Sequence, residues 1–487
     1  MNTPLRRVAY MCLALIAVLL VQANYLQVYK AGAYRDDPRN GRVLLRTYDR
    51  ERGPIAVGTG PDRRAIASSQ ATPDLLKYLR SYAAGPVYAP VTGFYSLVYG
   101  STGTERNQDR LLSGEDDRLF VRRFSDALTG RAPQGGSIVL TINPQAQQAA
   151  YDALAGRRGA AVALDPRTGA VLALVSSPSY DPNVLSSHDP AAIRKAYTAL
   201  QQDPADPMLN RAVNQTYPPG STFKLITAAA ALSTGTYSPE TRIASPTLLQ
   251  LPQTSASLRN FGGESCGDGK TSTLADALRI SCNTAFAQLG LDLGAPAVRQ
   301  QAAAFGFGGT DLFVPQRVSR SSYPAVLSPP QIAQSAIGQY DVRVTPLQMA
   351  LVAAGIANQG RVMTPYLVGE VQAPDFTRLD LAQPKAYREA ITPQVAAQLT
   401  AMMERVVQDG TGTAAQLPGI RVAGKTGTAE RGRGEAPDAW FIGFAPAQDP
   451  QIAVAVVVEG AGQLDSEATG GRVAAPIAQA IFRATLR

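Results

Sequence analysis

From Val8 to Val21 the chain is an unbroken apolar run, and Arg6 and Arg7 stand immediately before it. In hydrocarbon such a stretch can satisfy its backbone polar groups only internally, which makes it a helix. Carried on through Tyr25, Leu26 and Val28, with Gln22, Asn24 and Gln27 as interruptions, it reaches about twenty residues, enough to cross a bilayer. The paired arginines, with no acidic residue ahead of them, keep the N-terminus in the cytoplasm by the positive-inside rule. A cleaved signal peptide is the alternative. The run ends in Gln-Ala-Asn-Tyr-Leu-Gln, without a small-x-small cleavage site, so an uncleaved signal-anchor is the expectation. Everything after Lys30 then lies outside a plasma membrane crossed once.

A chain of 487 residues, 45% of them hydrophobic, has room for about three domains and a large core, and cannot be a disordered protein. The net charge of +8 is spread along the sequence with no basic run, which suits an anionic surface rather than nucleic-acid binding. The single histidine, His188, sits in a polar Ser-Ser-His-Asp-Pro stretch and is expected on a surface loop. A His-rich metal site is thereby excluded, and a Ser-His-Asp triad could draw only on that residue. Any nucleophile must find another base. Of three cysteines, Cys12 lies in the apolar run, whereas Cys266 and Cys282 lie where a disulfide can persist. They form a candidate bridge, with two free buried thiols as the alternative.

The expected division is an anchor over residues 1–29, a stalk over 30–136 and a catalytic domain over 137–487. The segment 31–64 is rich in Arg and Asp, Arg52-Gly53-Pro54-Ile55 opens a strand-like piece, and 65–136 shows turn signals without a long helical period. From Ser137 regularity improves. Ser137–Ile142 reads as a strand, and Asn143-Pro144 starts a helix running to Gly156. Ala160–Leu164 and Ala170–Val175 read as strands joined by the hairpin loop Asp165–Gly169. Helical patterns then dominate to about residue 420. Thr345-Pro346 starts one helix, which stops near Asn358-Gln359-Gly360. Thr392-Pro393 starts another, whose Val395, Leu399, Met402, Met403 and Val406 form one core-facing stripe. Strands return at Ile420–Ala423, Ala439–Ala445 and Ile452–Val458, and a helix closes the chain from Val473 to Leu486. A sheet assembled from both ends of a domain around an inserted helical block is an α+β arrangement, with an antiparallel sheet sandwiched by helices.

Three short strings carry chemistry. In Tyr217-Pro-Pro-Gly-Ser221-Thr-Phe-Lys224 a helix is expected to begin at or near Ser221, and Lys224, three residues on, shares its face. Desolvation or a neighbouring cation depresses a lysine pKa by several units, so Lys224 can serve as base to a Ser221 nucleophile. The plain alternative is a capping serine and a surface lysine. Ser281-Cys282-Asn283 puts a hydroxyl and a carboxamide two residues apart, suited to a proton relay and to holding an amide; a turn motif is the alternative. Gly424-Lys425-Thr426-Gly427-Thr428 supplies a fixed cation, hydroxyls and a glycine over which a ligand can approach the backbone. With Gly419 it also matches the letters of a phosphate loop, but the intervening residues read as a strand and no helix comes after it.

Taken in order, Ser221-x-x-Lys224, Ser281-x-Asn283 and Lys425-Thr426-Gly427 resemble the penicillin-binding-protein and serine β-lactamase superfamily. Gly338-Gln339, Thr345–Ala350, Asn358-Gln359-Gly360 and Ala439–Pro446 resemble the class B, monofunctional penicillin-binding proteins. Asn40-Gly41-Arg42 through Arg52-Gly53, with the short stalk, resembles their actinobacterial PbpA-like branch. Asp438, before Ala439-Trp440, departs from the pattern and takes no role. The resemblance implies a peptidoglycan D,D-transpeptidase without metal or other cofactor. Ser221 would attack D-Ala–D-Ala of a stem peptide and be acylated by β-lactam antibiotics. Lys224 would take its proton, and Ser281 would pass one to the leaving amine. Lys425 would keep Lys224 neutral. Lys425, Thr426 and Thr428 would bind the carboxylate, Asn283 the substrate amide, and the N–H groups of Ser221 and Thr428 would form the oxyanion hole. It also implies a SEDS-family glycosyltransferase and divisome or elongasome proteins as partners. A β-lactamase or carboxypeptidase shares the strings, but no Glu-x-x-x-Asn comes after Ser281, and a free enzyme needs neither anchor nor stalk. A penicillin sensor or non-catalytic scaffold would not need Lys224 and Lys425 together.

Overall fold

The computed structural model describes residues 3–30, 48–130, 134–432, 435–461 and 470–486. Its first element is the apolar N-terminal helix Thr3–Asn24, extended by the turn Tyr25–Tyr29. At 27 residues, it is the one described helix long and apolar enough to cross a membrane.

A five-stranded sheet is antiparallel throughout, in the order Ala423–Ala429, Asp438–Ala445, Ile452–Val458, Gly159–Leu164, Val171–Ser177. Helices Pro144–Leu154 and Gly470–Thr485 cover one face. The other is covered by Pro346–Ala357, itself buried along almost its whole length. Having both faces covered explains why Ile452–Val458 is apolar at every position instead of alternating. This is the α+β sandwich expected. Three helices begin where a capping residue precedes proline: Asn143, Thr345 and Thr392 each accept a bond from the backbone two or three residues on. Val395, Leu399, Met402, Met403 and Val406 are all buried.

One strand differs from the expectation. The edge strand starts at Ala423, not Ile420, and runs through Lys425-Thr426-Gly427-Thr428 to Ala429. The strand expected to end at Ala423 begins there instead, and its ladder to Asp438–Ala445 holds Gly424–Thr428 extended.

The second sheet has six strands in the order Arg378–Leu381, Val368–Gln372, Ser137–Leu140, Ile55–Val57, Arg64–Ala71, Tyr78–Tyr82. Ser137–Leu140 pairs in parallel with Ile55–Val57 on one side and antiparallel with Val368–Gln372 on the other. The stretch before residue 136 is therefore more regular than its turn signals suggest, and its sheet is completed by strands from far along the chain. Beside it lies a buried ionic cluster. Arg52 Nε and Arg80 Nε donate to the two oxygens of Glu105 at 2.6 and 2.7 Å, and Tyr82 Oη adds a third bond. The two guanidinium groups outweigh desolvation and hold the Glu105 carboxyl below its ordinary range. Asn40-Gly41-Arg42 lies outside the described residues. The short helix Phe120–Thr129 presents Phe120, Phe124 and Leu128 to solvent along one side.

His188 is not a free surface histidine. It is half-buried, and its ring nitrogens lie 2.7 Å from Asp74 Oδ2 and 3.1 Å from the Tyr78 carbonyl. The loop is thus tied to the six-stranded sheet.

Candidate active site

The candidate site lies where the helical block meets the edge strand. Gly220–Phe223 forms a single 3₁₀ turn, and the α-helix proper runs Lys224–Ser233. Residues three apart in a 3₁₀ turn eclipse one another, so Ser221 and Lys224 share a face. Two glycines allow this turn to press against its neighbours. Gly220 has φ +52°, and a Cβ there would lie 2.5 Å from the Thr428 carbonyl oxygen; a Cβ on Gly338 would lie 2.1 Å from the Gly220 oxygen. Trp440, fully buried in the next strand, donates Nε1–H to the Pro218 carbonyl at 3.0 Å. Tyr217 pairs by its backbone with Val344 and donates its hydroxyl to Glu459 at 2.7 Å.

The expected room over Gly427 for a ligand is filled by the chain itself. A Cβ there would meet Thr222 Cγ2 at 2.9 Å and the Pro219 carbonyl at 3.0 Å. Glycine is required so that the Ser221 turn can close on the edge strand.

Lys224 is fully buried. Its Nζ donates to the Ser281 carbonyl at 2.7 Å and to Asn283 Oδ1 at 2.7 Å, with Ser281 Oγ at 3.3 Å. Lys425, also fully buried, donates to Ser281 Oγ at 2.9 Å and to the Thr426 carbonyl at 2.8 Å. The Ser281 hydroxyl thus stands between two lysines. Burial, and secondarily the nearby Lys425 charge, push the Lys224 amine well below its ordinary value. Burial alone takes Lys425 down to about 7. A neutral amine has two N–H bonds and one lone pair. The Ser281 carbonyl and Asn283 Oδ1 cannot donate and take both N–H bonds, leaving the lone pair to accept a proton. Among the described residues no hydrogen bond joins Ser221 Oγ to Lys224 Nζ; catalytic contacts often tighten only once substrate is bound.

Ser281 itself has φ +63°, a left-handed conformation for a non-glycine residue, which costs about 1–3 kcal/mol. Two tethers on the next residues hold the strain in place. A disulfide joins Cys266 to Cys282, with Cα atoms 6.2 Å apart. The side chain of Asn260 accepts from Asn283 N at 2.8 Å and Thr284 N at 3.0 Å, capping the helix that starts at Asn283. Sequence reading missed Asn260, because its capping contact spans more than twenty residues and leaves no local pattern. It also missed Thr411, whose Oγ1 lies 2.5 Å from Thr426 Oγ1. Thr428 is half-buried on the same strand.

Known proteins share this frame. The penicillin binding protein transpeptidase domain matches residues 159–483, and the penicillin binding protein A dimerisation domain matches 52–138. A peptidoglycan D,D-transpeptidase PbpA from Mycolicibacterium smegmatis is 49% identical over 498 residues, covering 100% of this chain and 99% of that protein. The similarly described protein of Mycobacterium tuberculosis is 48% identical over 499 residues, with 100% and 99% covered. Among solved structures, the ceftriaxone acyl-enzyme complex of M. tuberculosis penicillin-binding protein A superposes with a TM-score of 0.88 at 45% identity, over 91% of this chain and 100% of that one. Its imipenem acyl-enzyme complex gives 0.86 at 45%, with 91% and 100% covered. The family match over residues 159–483, the full-length likeness in sequence and a sheet-and-helix frame that superposes over 91% of the chain place it in a single group: it belongs to the penicillin-binding-protein transpeptidase family, in its PbpA-like branch.

Proposed function

We propose that this chain is a membrane-anchored peptidoglycan D,D-transpeptidase that works through a Ser221 acyl-enzyme and is inhibited covalently by β-lactams. The observation that carries the reading is the burial of Lys224 beside Lys425 and Ser281, one turn from Ser221. Ser221 Oγ attacks the carbonyl between the two D-alanines, and its proton passes to the lone pair of Lys224. The N–H groups of Ser221 and Thr428 hold the oxyanion, a contribution of roughly 3–4 kcal/mol per donor. When the intermediate collapses the C–N bond breaks, and Ser281 delivers a proton to the departing D-alanine amine, replenished through Lys224. An amine of a neighbouring stem peptide then attacks the ester, freeing Ser221 and forming the cross-link. Asn283 holds the donor peptide amide, and Lys425, Thr426 and Thr428 take its carboxylate.

In this reading residues 1–29 anchor the chain, 30–136 form the stalk and 137–487 the catalytic unit, outside a plasma membrane crossed once. The stalk and anchor meet a SEDS-class glycosyltransferase and other division or elongation proteins. The solvent-facing Phe120, Phe124 and Leu128 support a contact surface of that kind. Labelled penicillin is expected to attach to Ser221, and Ser221→Ala to lose the label with an unchanged melting temperature. Label persisting on that variant overturns the assignment of the nucleophile.

A further inference from the structure

The helix Pro393–Gln408 ends in the turn Asp409-Gly410-Thr411-Gly412, which lies against the Lys425 strand. Its backbone is fixed from several sides. Thr411 N donates to the Arg279 carbonyl at 3.3 Å, and Gly412 N to the Val406 carbonyl at 2.9 Å. A Cβ on Gly410 would lie 2.5 Å from the Arg279 oxygen, and one on Gly471 would lie 2.3 Å from the Thr411 oxygen. Thr411 is nevertheless exposed, while Thr426 is buried. The single hydrogen bond made by the Thr411 side chain among the described residues is to Thr426 Oγ1, at 2.5 Å.

Either hydroxyl can be the donor in that pair, and a ligand decides which. Each hydroxyl has one proton and can also accept, whereas a carboxylate only accepts. If Thr426 gives its proton to a bound carboxylate, it can meet Thr411 only as an acceptor, and Thr411 must donate. We propose that Thr411 is a positioning residue for carboxylate recognition: it donates to Thr426 Oγ1 and so turns the Thr426 proton toward the C-terminal carboxylate of the substrate. The inference rests on the proposed role of Thr426 in binding that carboxylate. It adds a residue from outside the three strings, set on a backbone rigid enough to fix a hydroxyl's direction.

The test compares benzylpenicillin with its methyl ester, in which the carboxylate is masked, as acylating agents of the detergent-solubilised full chain. Thr411→Val is expected to slow acylation by the acid about tenfold and to change the ester by less than about twofold, the size of one lost hydrogen bond. Thr411→Ser, which keeps the hydroxyl, is expected to restore the acid. Should Thr411→Val fail to fold, Thr411→Ala in the same exposed turn must show the same selectivity. A merely structural role would slow both agents together, and that outcome overturns the proposal. Thr426→Val, measured alongside, separates the two readings. Equal slowing of acid and ester by Thr426→Val removes Thr426 from carboxylate binding. Selective slowing by Thr426→Val with none by Thr411→Val leaves that reading standing and refutes the role of Thr411.

Discussion

Replacing Gly220 by alanine tests whether the oxyanion site depends on how closely the Ser221 turn meets the edge strand. The native φ is +52°, and the new Cβ would lie 2.5 Å from the Thr428 oxygen, 2.9 Å from the Thr428 carbonyl carbon and 3.1 Å from Ala429 Cα. All three are backbone atoms of a laddered strand, so no flexible side chain can yield. The left-handed conformation costs an L-residue about 1–2 kcal/mol. Relieving the clash to an ordinary contact requires one backbone to retreat by roughly 0.9 Å, in an interior packed like a crystal. An N–H aimed at an oxyanion from about 2.9 Å then stands near 3.8 Å, beyond a useful hydrogen bond. Losing one such donor slows acyl transfer about 10²–10³-fold. The assay is the rate of acylation by a fluorescent penicillin, measured with the melting temperature. The expected result is a variant that still folds, melts a few degrees lower and acylates at least about a hundredfold more slowly. A folded Gly220→Ala with a normal acylation rate would mean that Ser221 and Thr428 do not share the oxyanion.

Lys224→Ala is expected to slow acylation at least about a hundredfold, the usual size of a general-base contribution; a near-normal rate in the same fluorescent assay would move the base elsewhere. The two lysines also give stability a pH dependence. Burial lowers Lys425 to about 7 in the folded chain, so between pH ~7 and ~10 the unfolded chain holds a proton there that the folded chain does not. That contribution to stability is complete above the unfolded value, falls as pH drops toward 7 and is level below it. Lys425→Met is expected to flatten the rise in the urea midpoint between pH ~7 and ~10; an unchanged slope would show that Lys425 is not the group responsible.

Local chemistry was the part of the fold that could be read ahead of the structure. Asn143-Pro144, Thr345-Pro346 and Thr392-Pro393 start helices because the cap and the proline act within one turn. The hairpin at Asp165–Gly169 is equally local. What escaped is long-range. Ala423–Ala429 is a strand only through its partner strand. The approach of Pro219 and Thr222, which dictates Gly427, comes from two hundred residues away. At the candidate site, Ser221, Lys224, Ser281, Asn283 and Lys425 belong to short strings visible in sequence. Asn260 and Thr411 act across gaps that leave no periodicity to read, and the left-handed Ser281 is specified by its surroundings rather than by its own residue type.

The interleaving of the six-stranded sheet has a practical outcome for anyone dissecting the protein. A fragment begun at Ser137 would leave the Ile138-Val139-Leu140 ribbon without its neighbour Ile55–Val57, a bare apolar edge that invites pairing with another molecule. The complementary N-terminal fragment would lose its ribbon in turn. Any swing of the segment around Ile55–Val57 against Ser137–Leu140 must break that ladder, so the two parts move as one lever and not about a free joint.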